Sequence, residues 1–268
     1  MSKPRGGAAD RATRHRLRPA LALRDPVEAR DFVRALGVVV RTPDRWLPSL
    51  FAAAQGKAAR PGGKGFATWP AHAWWWGGAM ADDGDILATK ALRGRTAYVA
   101  RPLWPALDAA VRGRGAALAG APADLLACLR AAGRPLRTDE WRRAAGFAGP
   151  TRTAPFRKAR GVLEALGVVL EEAAPMDERH EHVALAQPWE ARFRAPLARA
   201  RGVDAFVRAT LAAAGDAPAR VVAGWFGWPR AETTAAVARL VAAGAVHRAA
   251  GGQLRAAAPA PADLGADA

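Results

Sequence analysis

The chain has 268 residues and a formal net charge of +16, with 40 Lys and Arg residues against 24 Asp and Glu residues. Its single cysteine, Cys128, excludes an intramolecular disulfide, and the lack of a CxxC pair excludes a zinc finger on spacing. No apolar run is long enough to span a bilayer, and the basic N-terminal stretch lacks the apolar segment of a secretory signal. These features predict a cytoplasmic protein, and the excess of cations predicts a polyanionic partner.

The N-terminal part of the sequence predicts a basic arm and then a Trp-rich α+β domain. Residues 1–19 are rich in Arg, Gly and Ala without apolar periodicity, which predicts a disordered arm that attracts phosphate non-specifically. Residues 20–115 form the next domain, whose elements are compatible with a winged helix. Its first helix is predicted to begin after Asp25, an N-cap, and to end at Gly37. Strands are predicted at 38–40, 86–87 and 96–100, and a loop at 57–65.

A pattern that occurs twice dominates the C-terminal half. The first copy, over 123–187, contains "LLACLRAAG", "TDEWRRAAGFAG", "FRKARGVLEALGVVLEE" and "HVALA", and the second, over 204–257, contains "DAFVRATLAAAG", "ARVVAGWFGWP", "ETTAAVARLVAAGAVHRA" and "GQLRA". The order of helix, short helix, turn, longer helix and two short strands is typical of a helix-turn-helix followed by a β-wing. We therefore predict a mainly α protein with short β-wings, built from tandem winged helix-turn-helix domains. The predicted boundaries are 116–190 for the first winged helix, 191–257 for the second and 258–268 for a disordered tail.

Basic residues gather at the beginning of the longer helix of the first copy. Phe156, Ala159 and Leu163 recur at helical spacing and should face the core, so the adjacent cations point away from it. The N-terminal end of such a helix also favours phosphate, through its free N–H groups and its dipole. A solvated basic face without a ligand is the alternative. The predicted DNA-binding residues are Thr151, Arg152, Thr153, Arg157 and Lys158, with Arg41 after the first strand and Arg93 and Arg95 at a turn between strands.

The corresponding helix of the second copy has a different outward face. It presents Glu232, Arg239 and several alanines, which together are a poor match for phosphate. This copy is therefore predicted to be a structural or docking domain. Near the end of the first copy, His180 and His182 are spaced to share one face of a strand, but their position between two wing strands favours a solvated tip over a metal site. No metal and no cofactor are predicted.

Tryptophan is unusually frequent, with 10 Trp residues against one Tyr. Trp74, Trp75 and Trp76 are consecutive, and adjacent residues cannot share one face of a regular element, so at least one should be exposed. An exposed indole would stack on an unpaired or flipped base. The alternative is a core or interface cluster. The tryptophans in apolar stripes, Trp141, Trp225 and Trp228, are predicted to be core residues.

Four stretches of the sequence carry a resemblance to a known family. They are "DFVRALGVVVRTPDRWLPSLFAAAQG" at 31–56, "WWWGGAMADDGDILATKALRGRTAYVA" at 74–100, "LRTDEWRRAAG" at 136–146 and "WFGWP" at 225–229. With them the chain resembles the winged-helix DNA glycosylase superfamily, the AlkZ/YcaQ-like group, and especially its shorter AlkZ-related members. The resemblance covers about residues 25–257.

The resemblance implies tandem winged helices that grip double-stranded DNA. Active members of the family excise alkylated purines with a Gln-x-Gln pattern that follows the first helix and strand. Here that stretch is 37–42, and it contains no glutamine, so no catalytic residue is assigned. The nearest polar residues, Arg41, Asp44 and Gln55, match no motif.

The expected function is double-stranded DNA binding in a DNA-repair context, in the cytoplasm and associated with the nucleoid. Two alternatives remain open: an active base-excision glycosylase with divergent catalytic residues, and a winged-helix transcriptional regulator. An enzyme should expose an acidic or amide group in a pocket beside an aromatic ring, whereas a regulator should show a symmetric dimer surface. The sequence leaves the oligomeric state open, and a monomer is favoured.

Overall fold

The computed structural model describes residues 6–58, 70–82, 84–173, 184–197 and 202–257. Over these residues the chain is mainly helical, with small antiparallel sheets of three strands each. No single helix among them is long and apolar enough to cross a membrane. Two helical segments, 101–117 and 121–132, meet that criterion only as a pair, and the pair is bent by 112°.

One order of elements, helix–strand–helix–helix–strand–strand, occurs three times. We call residues 26–100 unit 1, residues 121–188 unit 2 and residues 202–256 unit 3. Unit 1 consists of α2 (Pro26–Leu36), β1 (Val38–Val40), α3 (Leu50–Gln55), α4 (Ala71–Asp82), β2 (Ile86–Leu92) and β3 (Arg95–Ala100). Unit 2 consists of α6 (Ala121–Ala132), β4 (Leu136–Arg137), α7 (Thr138–Ala144), α8 (Thr153–Leu166), β5 (Val169–Ala173) and β6 (Ala184–Pro188). Unit 3 consists of α10 (Gly202–Ala214), β7 (Ala217–Pro218), α11 (Ala219–Val222), α12 (Arg230–Ala242), β8 (Val246–Ala249) and β9 (Gln253–Ala256).

Among the described residues, three further α-helices lie outside the units. They are α1 (Gly6–Arg14) before unit 1, α5 (Trp104–Val111) between units 1 and 2, and α9 (Trp189–Arg192) after unit 2. In each sheet the last strand of the unit lies between the other two, and all neighbouring strands are antiparallel. The three units therefore share one topology as well as one order of elements.

The third helix of each unit has the same register. It buries residues spaced i, i+3 and i+7, a glycine with positive φ follows four residues later, and the next strand begins two residues after that glycine. The matching residues are Ala73, Trp76, Met80, Gly84 and Ile86 in unit 1, Phe156, Ala159, Leu163, Gly167 and Val169 in unit 2, and Thr233, Ala236, Leu240, Gly244 and Val246 in unit 3. A left-handed residue stops an α-helix, and glycine adopts that conformation at least cost. The repeat seen in the C-terminal sequence thus extends to unit 1.

The boundaries of α2 confirm the sequence prediction. The Asp25 side chain accepts a hydrogen bond from the Glu28 backbone N–H at 2.8 Å, and Gly37 ends the helix with a φ of +79°. The predicted strand at 38–40 is β1. The other two predicted strands are also present, and β2 runs further than expected, through Leu92.

The apolar cores join units 1 and 3. In β1, Val39 faces a cluster with Phe32, whereas Val38 and Val40 face a second cluster that includes Phe206 and Val207 of unit 3. This alternation follows from the two-residue period of a strand. Unit 2 has a core of its own, which includes Trp141 and Phe156 among its buried residues. Units 1 and 3 are therefore joined by a shared apolar core.

The N-terminal arm differs from its prediction. Residues 6–14 form α1, so the prediction of disorder over 1–19 is wrong for these residues. Arg11 forms an ion pair with Asp216 and lies 4.8 Å over the Trp46 ring, and His15 donates to the Ala213 carbonyl at 3.0 Å. These tertiary contacts stabilise a segment whose own sequence has no apolar period. The predicted tail at 258–268, the histidines at 180 and 182 and most of the predicted loop at 57–65 lie outside the described residues.

Candidate nucleic-acid interface

The N-terminal half of α8 presents cations to solvent. Arg157 and Lys158 are exposed, as is Arg152 in the 3₁₀ turn that precedes the helix. Within the described part of the chain, none of the three makes a side-chain hydrogen bond or an ion pair. Because no carboxylate of the described residues pairs with these cations, their charge is available to an anionic ligand.

The two predicted threonines flank the beginning of α8. Thr151 is exposed in the preceding turn, and Thr153 is the first residue of the helix. The Thr153 Oγ1 accepts a hydrogen bond from Arg142 Nη1 at 2.8 Å, which joins α7 to α8. Sequence reasoning missed Arg142, because nothing in the spacing of the two residues shows which side chains meet across the turn.

The C-terminal half of α8 is fixed by a cluster of four charged side chains. Lys90 of β2 lies 2.9 Å from Glu164 of α8 and 2.7 Å from Glu171 of β5. Arg160 of α8 pairs with the same two carboxylates at 2.6 Å and 2.7 Å. The cluster joins unit 1 to unit 2 and holds the exposed end of α8 in a fixed orientation. The spacing of Arg160 and Glu164 is the i, i+4 pair of a helix, but no local pattern points to Lys90.

Burial and mutual repulsion separate the pKa values of the two carboxyl groups. Burial, together with the neighbouring Glu164 carboxylate, raises the pKa of Glu171 above its ordinary value. Burial acts in the same direction on Glu164, but the Lys90 ammonium, a hydrogen bond with Glu171 and the Arg160 guanidinium outweigh it and lower the pKa of Glu164. The pair therefore titrates as one coupled system.

Unit 3 has no comparable basic surface on its third helix. In the shared register, Thr234 and Ala235 of α12 occupy the positions of Arg157 and Lys158. The cation further along the helix, Arg239, is held by Asp204 at 2.6 Å and 2.8 Å. Four other described arginines of this unit are exposed outside that face: Arg220 on α11, Arg230 at the first residue of α12, Arg248 on β8 and Arg255 on β9.

The same positions in unit 1 are occupied by Trp74 and Trp75 of α4. Trp75 is 54% exposed, whereas Trp76 is only 6% exposed. Trp74 is half-buried and lies beneath the Arg41 guanidinium, whose carbon is 4.3 Å from the indole centroid. The expectation that three consecutive tryptophans cannot all be buried is met at Trp75.

The other predicted DNA-binding arginines are engaged within the protein. Arg93, at the β2–β3 turn, donates to the Gly224 carbonyl of unit 3 at 3.1 Å. Arg95 forms an ion pair with Asp44 and donates to the Thr42 carbonyl at 3.1 Å. The structure thus brings together the residues at 151–153 with Arg157 and Lys158, and it places Arg41, Arg93 and Arg95 in internal contacts of unit 1 and its neighbours.

The β2–β3 hairpin of unit 1 packs against both unit 2 and unit 3. The Ala91 carbonyl accepts a hydrogen bond from the Gly227 N–H of unit 3 at 3.1 Å. A Cβ at Gly167 of unit 2 would lie 3.0 Å from the Ala91 side chain, and one at Gly227 would lie 1.8 Å from the Ala165 carbonyl oxygen. These close approaches bring Arg93 and Arg95 within reach of protein groups, although Arg93 is still exposed to solvent.

The three tryptophans predicted to be core residues are buried, at 0% exposure for Trp141, 7% for Trp225 and 3% for Trp228. The indole of Trp141 donates to the Leu125 carbonyl at 3.0 Å, and that of Trp228 donates to Thr233 at 2.8 Å. Their role is to hold the helices of units 2 and 3 together.

In comparisons with known proteins, no family model matches the sequence, and neither a curated protein nor a solved structure gives a significant match.

Proposed function

We propose that the chain is a tandem winged-helix protein that binds double-stranded DNA through the N-terminal half of α8. The topology supports this proposal. In a winged helix, a helix-turn-helix is followed by a two-stranded wing, and the second helix of the motif lies in the major groove. Units 1, 2 and 3 each have that order of elements, in which α4, α8 and α12 come immediately before the two strands that would form the wing.

The observation that carries the proposal is the group of unpaired cations on α8. Arg152, Arg157 and Lys158 are exposed without a carboxylate partner, whereas Arg160 and Arg239 are neutralised by glutamate or aspartate. Unneutralised cations at the beginning of a groove-binding helix match the phosphates of a duplex. The net charge of +16 adds attraction at longer range.

The arrangement supports binding over base excision. Val38, Val39 and Val40 of β1 are fully buried. These three positions belong to the stretch where active members of the resembled family carry their glutamines, and here they provide no polar side chain. Asp44 is occupied: its carboxylate accepts the backbone N–H groups of Trp46 and Leu47 and pairs with Arg95. A DNA-repair context is proposed on the sequence resemblance alone.

Salt dependence of binding to a labelled duplex tests the proposal. If about 6–10 phosphates are contacted, raising the salt concentration from roughly 50 to 200 mM should lower the affinity by about 10³–10⁵. Anisotropy titrations at several salt concentrations measure the slope. Affinity that does not change with salt, or no binding at the lowest concentration, contradicts the proposal.

A base-release assay separates binding from catalysis. The protein is incubated with duplex DNA that carries 7-methylguanine, and free base is measured against a control without protein. We expect no release above the control. Robust release would show an active glycosylase and would make two carboxylates the first to replace by Asn: Asp44, near the stretch at 37–42, and Asp82, the last residue of α4.

A further inference from the structure

The shared register of the third helices assigns different chemistry to equivalent outward positions. Aligned on their buried residues, Arg157 and Lys158 of α8 correspond to Trp74 and Trp75 of α4. The position that carries an exposed ammonium in unit 2 therefore carries an exposed indole in unit 1. Helices α8 and α4 have the same place in the topology of their units, but α8 presents charged groups to solvent and α4 presents a flat aromatic group.

The indole of Trp75 is presented on a rigid support. The next residue, Trp76, is buried and contacts the His72 ring edge-to-face, with the ring centroids 5.2 Å apart. The preceding residue, Trp74, lies beneath the Arg41 guanidinium, and its ring centroid is 6.1 Å from that of Phe51. Because both neighbours are held by packing, ordering the Trp75 backbone on binding costs little.

The backbone of α4 is also pressed against the sheet. Gly77 packs so closely on β3 that a Cβ there would lie 2.2 Å from the Tyr98 hydroxyl oxygen. The helix therefore cannot roll about its axis without displacing a buried tyrosine, which is 2% exposed. The outward direction of Trp75 is fixed by these contacts.

The outward face of α4 lacks the charge that would hold a phosphate. Its exposed residues whose side chains the structure describes are His72, Trp75, Gly78 and Ala79. The largest of these side chains is the indole of Trp75, so this face offers a ligand mainly an aromatic surface. It carries no carboxylate among those residues that would repel a polyanion.

We propose that Trp75 binds an unpaired nucleobase by stacking, and this inference rests on the proposed function. A nucleic acid is the ligand that combines phosphates, which fit the cations of α8, with flat aromatic groups, which fit the indole. The base must be unpaired, since a duplex shows only base edges in its grooves and covers the faces with neighbouring bases. A bulged, extrahelical or terminal base exposes its face.

The test compares two labelled duplexes that differ only in one bulged thymine, using the full-length protein. We expect wild type to bind the bulged duplex roughly 5- to 160-fold more tightly than the paired one, the range for one stacked base. Trp75→Leu should abolish that difference, and Trp75→Phe should retain part of it. Val27→Ala is the matched control, because Val27 is 56% exposed on α2 of the same unit.

The outcomes separate this inference from the proposed function. No binding to either duplex at low salt overturns the proposed function, and the inference with it. Equal binding of wild type to both duplexes overturns the inference alone. The inference is also overturned if Trp75→Leu weakens both duplexes equally, or if it instead dissociates a dimer in sedimentation, which would assign the indole to a second copy of the chain.

Discussion

Arg157 and Arg239 illustrate how the fate of one guanidinium depends on its neighbours. Both lie on the third helix of their unit, and both are exposed on the surface. Arg239 is bound by the two oxygens of Asp204, whereas Arg157 has no partner in the described part of the chain. The number of cations in a sequence therefore overstates the number available to a polyanion.

Replacing Arg157 and Lys158 by alanine should weaken duplex binding. If each side chain neutralises one phosphate, the slope of log affinity against log salt should fall by about 1.8. The free energy of unfolding should change by less than about 0.5 kcal/mol, because both side chains are exposed. Anisotropy and urea unfolding measure the two quantities. Arg239→Ala is the control, and a larger effect of that variant on binding would assign the main contact to unit 3.

His15 should make stability depend on pH. Burial, with repulsion from Arg11 and Arg14, lowers the pKa of His15 from 6.5 to about 4 and outweighs its hydrogen bond to the Ala213 carbonyl. Between these values the unfolded chain binds a proton that the folded chain does not, so stability is full above about pH 6.5 and falls as the pH drops toward 4. The loss should be about 3 kcal/mol.

Urea unfolding at pH 7, 5.5 and 4 checks the His15 prediction. The variant His15→Gln keeps a side chain that can donate to the Ala213 carbonyl but cannot take up the proton. Its stability should fall less than that of wild type over the same pH range. Identical pH profiles for the two proteins would show that His15 is solvated in solution and that α1 is not docked as described.

At the scale of elements, α8 combines an exposed basic half with an anchored half. Lys90 reaches it from another unit, and Arg160, Glu164 and Glu171 complete a cluster whose side chains are 8% to 24% exposed. Lys90 and Arg160 balance the two carboxylates in charge. Such clusters contribute to orientation more than to net stability, but removing one member leaves a buried charge without its partner.

Lys90→Met should destabilise the protein by about 3 kcal/mol at pH 7, the low end for a broken buried pair, because Glu164 and Glu171 then share a single guanidinium. The loss should shrink as the pH falls through the raised pKa of Glu171, since protonation removes the repulsion. Adding Glu171→Gln to the variant should recover part of the stability.

Arg130→Met serves as the comparison for Lys90→Met in the same urea experiments. Its pair with Glu190 is 50% and 41% exposed, and an exposed pair contributes at most about 1 kcal/mol. Equal losses for the two variants would mean that the Lys90 cluster is solvated and does not lock α8 to unit 1.

The whole molecule is organised by which units share a core. Units 1 and 3 contribute Val38, Val40, Phe206 and Leu211 to one cluster, to which unit 2 adds Leu170 of β5, whereas the residues around Trp141 form a second core within unit 2. Gly202 reinforces the contact of α10 with α5, because a Cβ there would lie 2.5 Å from the Ala106 carbonyl oxygen. Unit 3 thus supports unit 1 across the length of the chain.

Truncation tests this organisation. A fragment of residues 117–197 should unfold in one cooperative transition, since it contains the core around Trp141. A fragment of residues 1–116 should bind a hydrophobic dye and associate, since it exposes the face that Phe206 and Val207 cover. A cooperative, monomeric 1–116 fragment would show that unit 1 does not depend on unit 3.

Much of the fold and part of the candidate site could be predicted from local sequence. Asp25, Gly37 and the strand at 38–40 are specified by residues within a few positions of one another. The outward direction of Arg157 and Lys158 follows from the period of one helix, and the exposure of one of three consecutive tryptophans follows from side-chain geometry. These features depend on neighbours along the chain, so a linear pattern contains them.

Only the tertiary structure decided which residues meet across the chain. The sequence gives α1 no apolar period, and that helix is fixed by Asp216, which lies about two hundred residues later. Arg93 and Arg95 look like unpartnered turn cations in the sequence, yet Arg93 donates to the Gly224 carbonyl and Arg95 pairs with Asp44. Pairings at such separations leave no period or spacing in the sequence. For that reason the sequence by itself determined the repeated elements and their outward faces, and the packing of the units decided which of those faces stay open to a ligand.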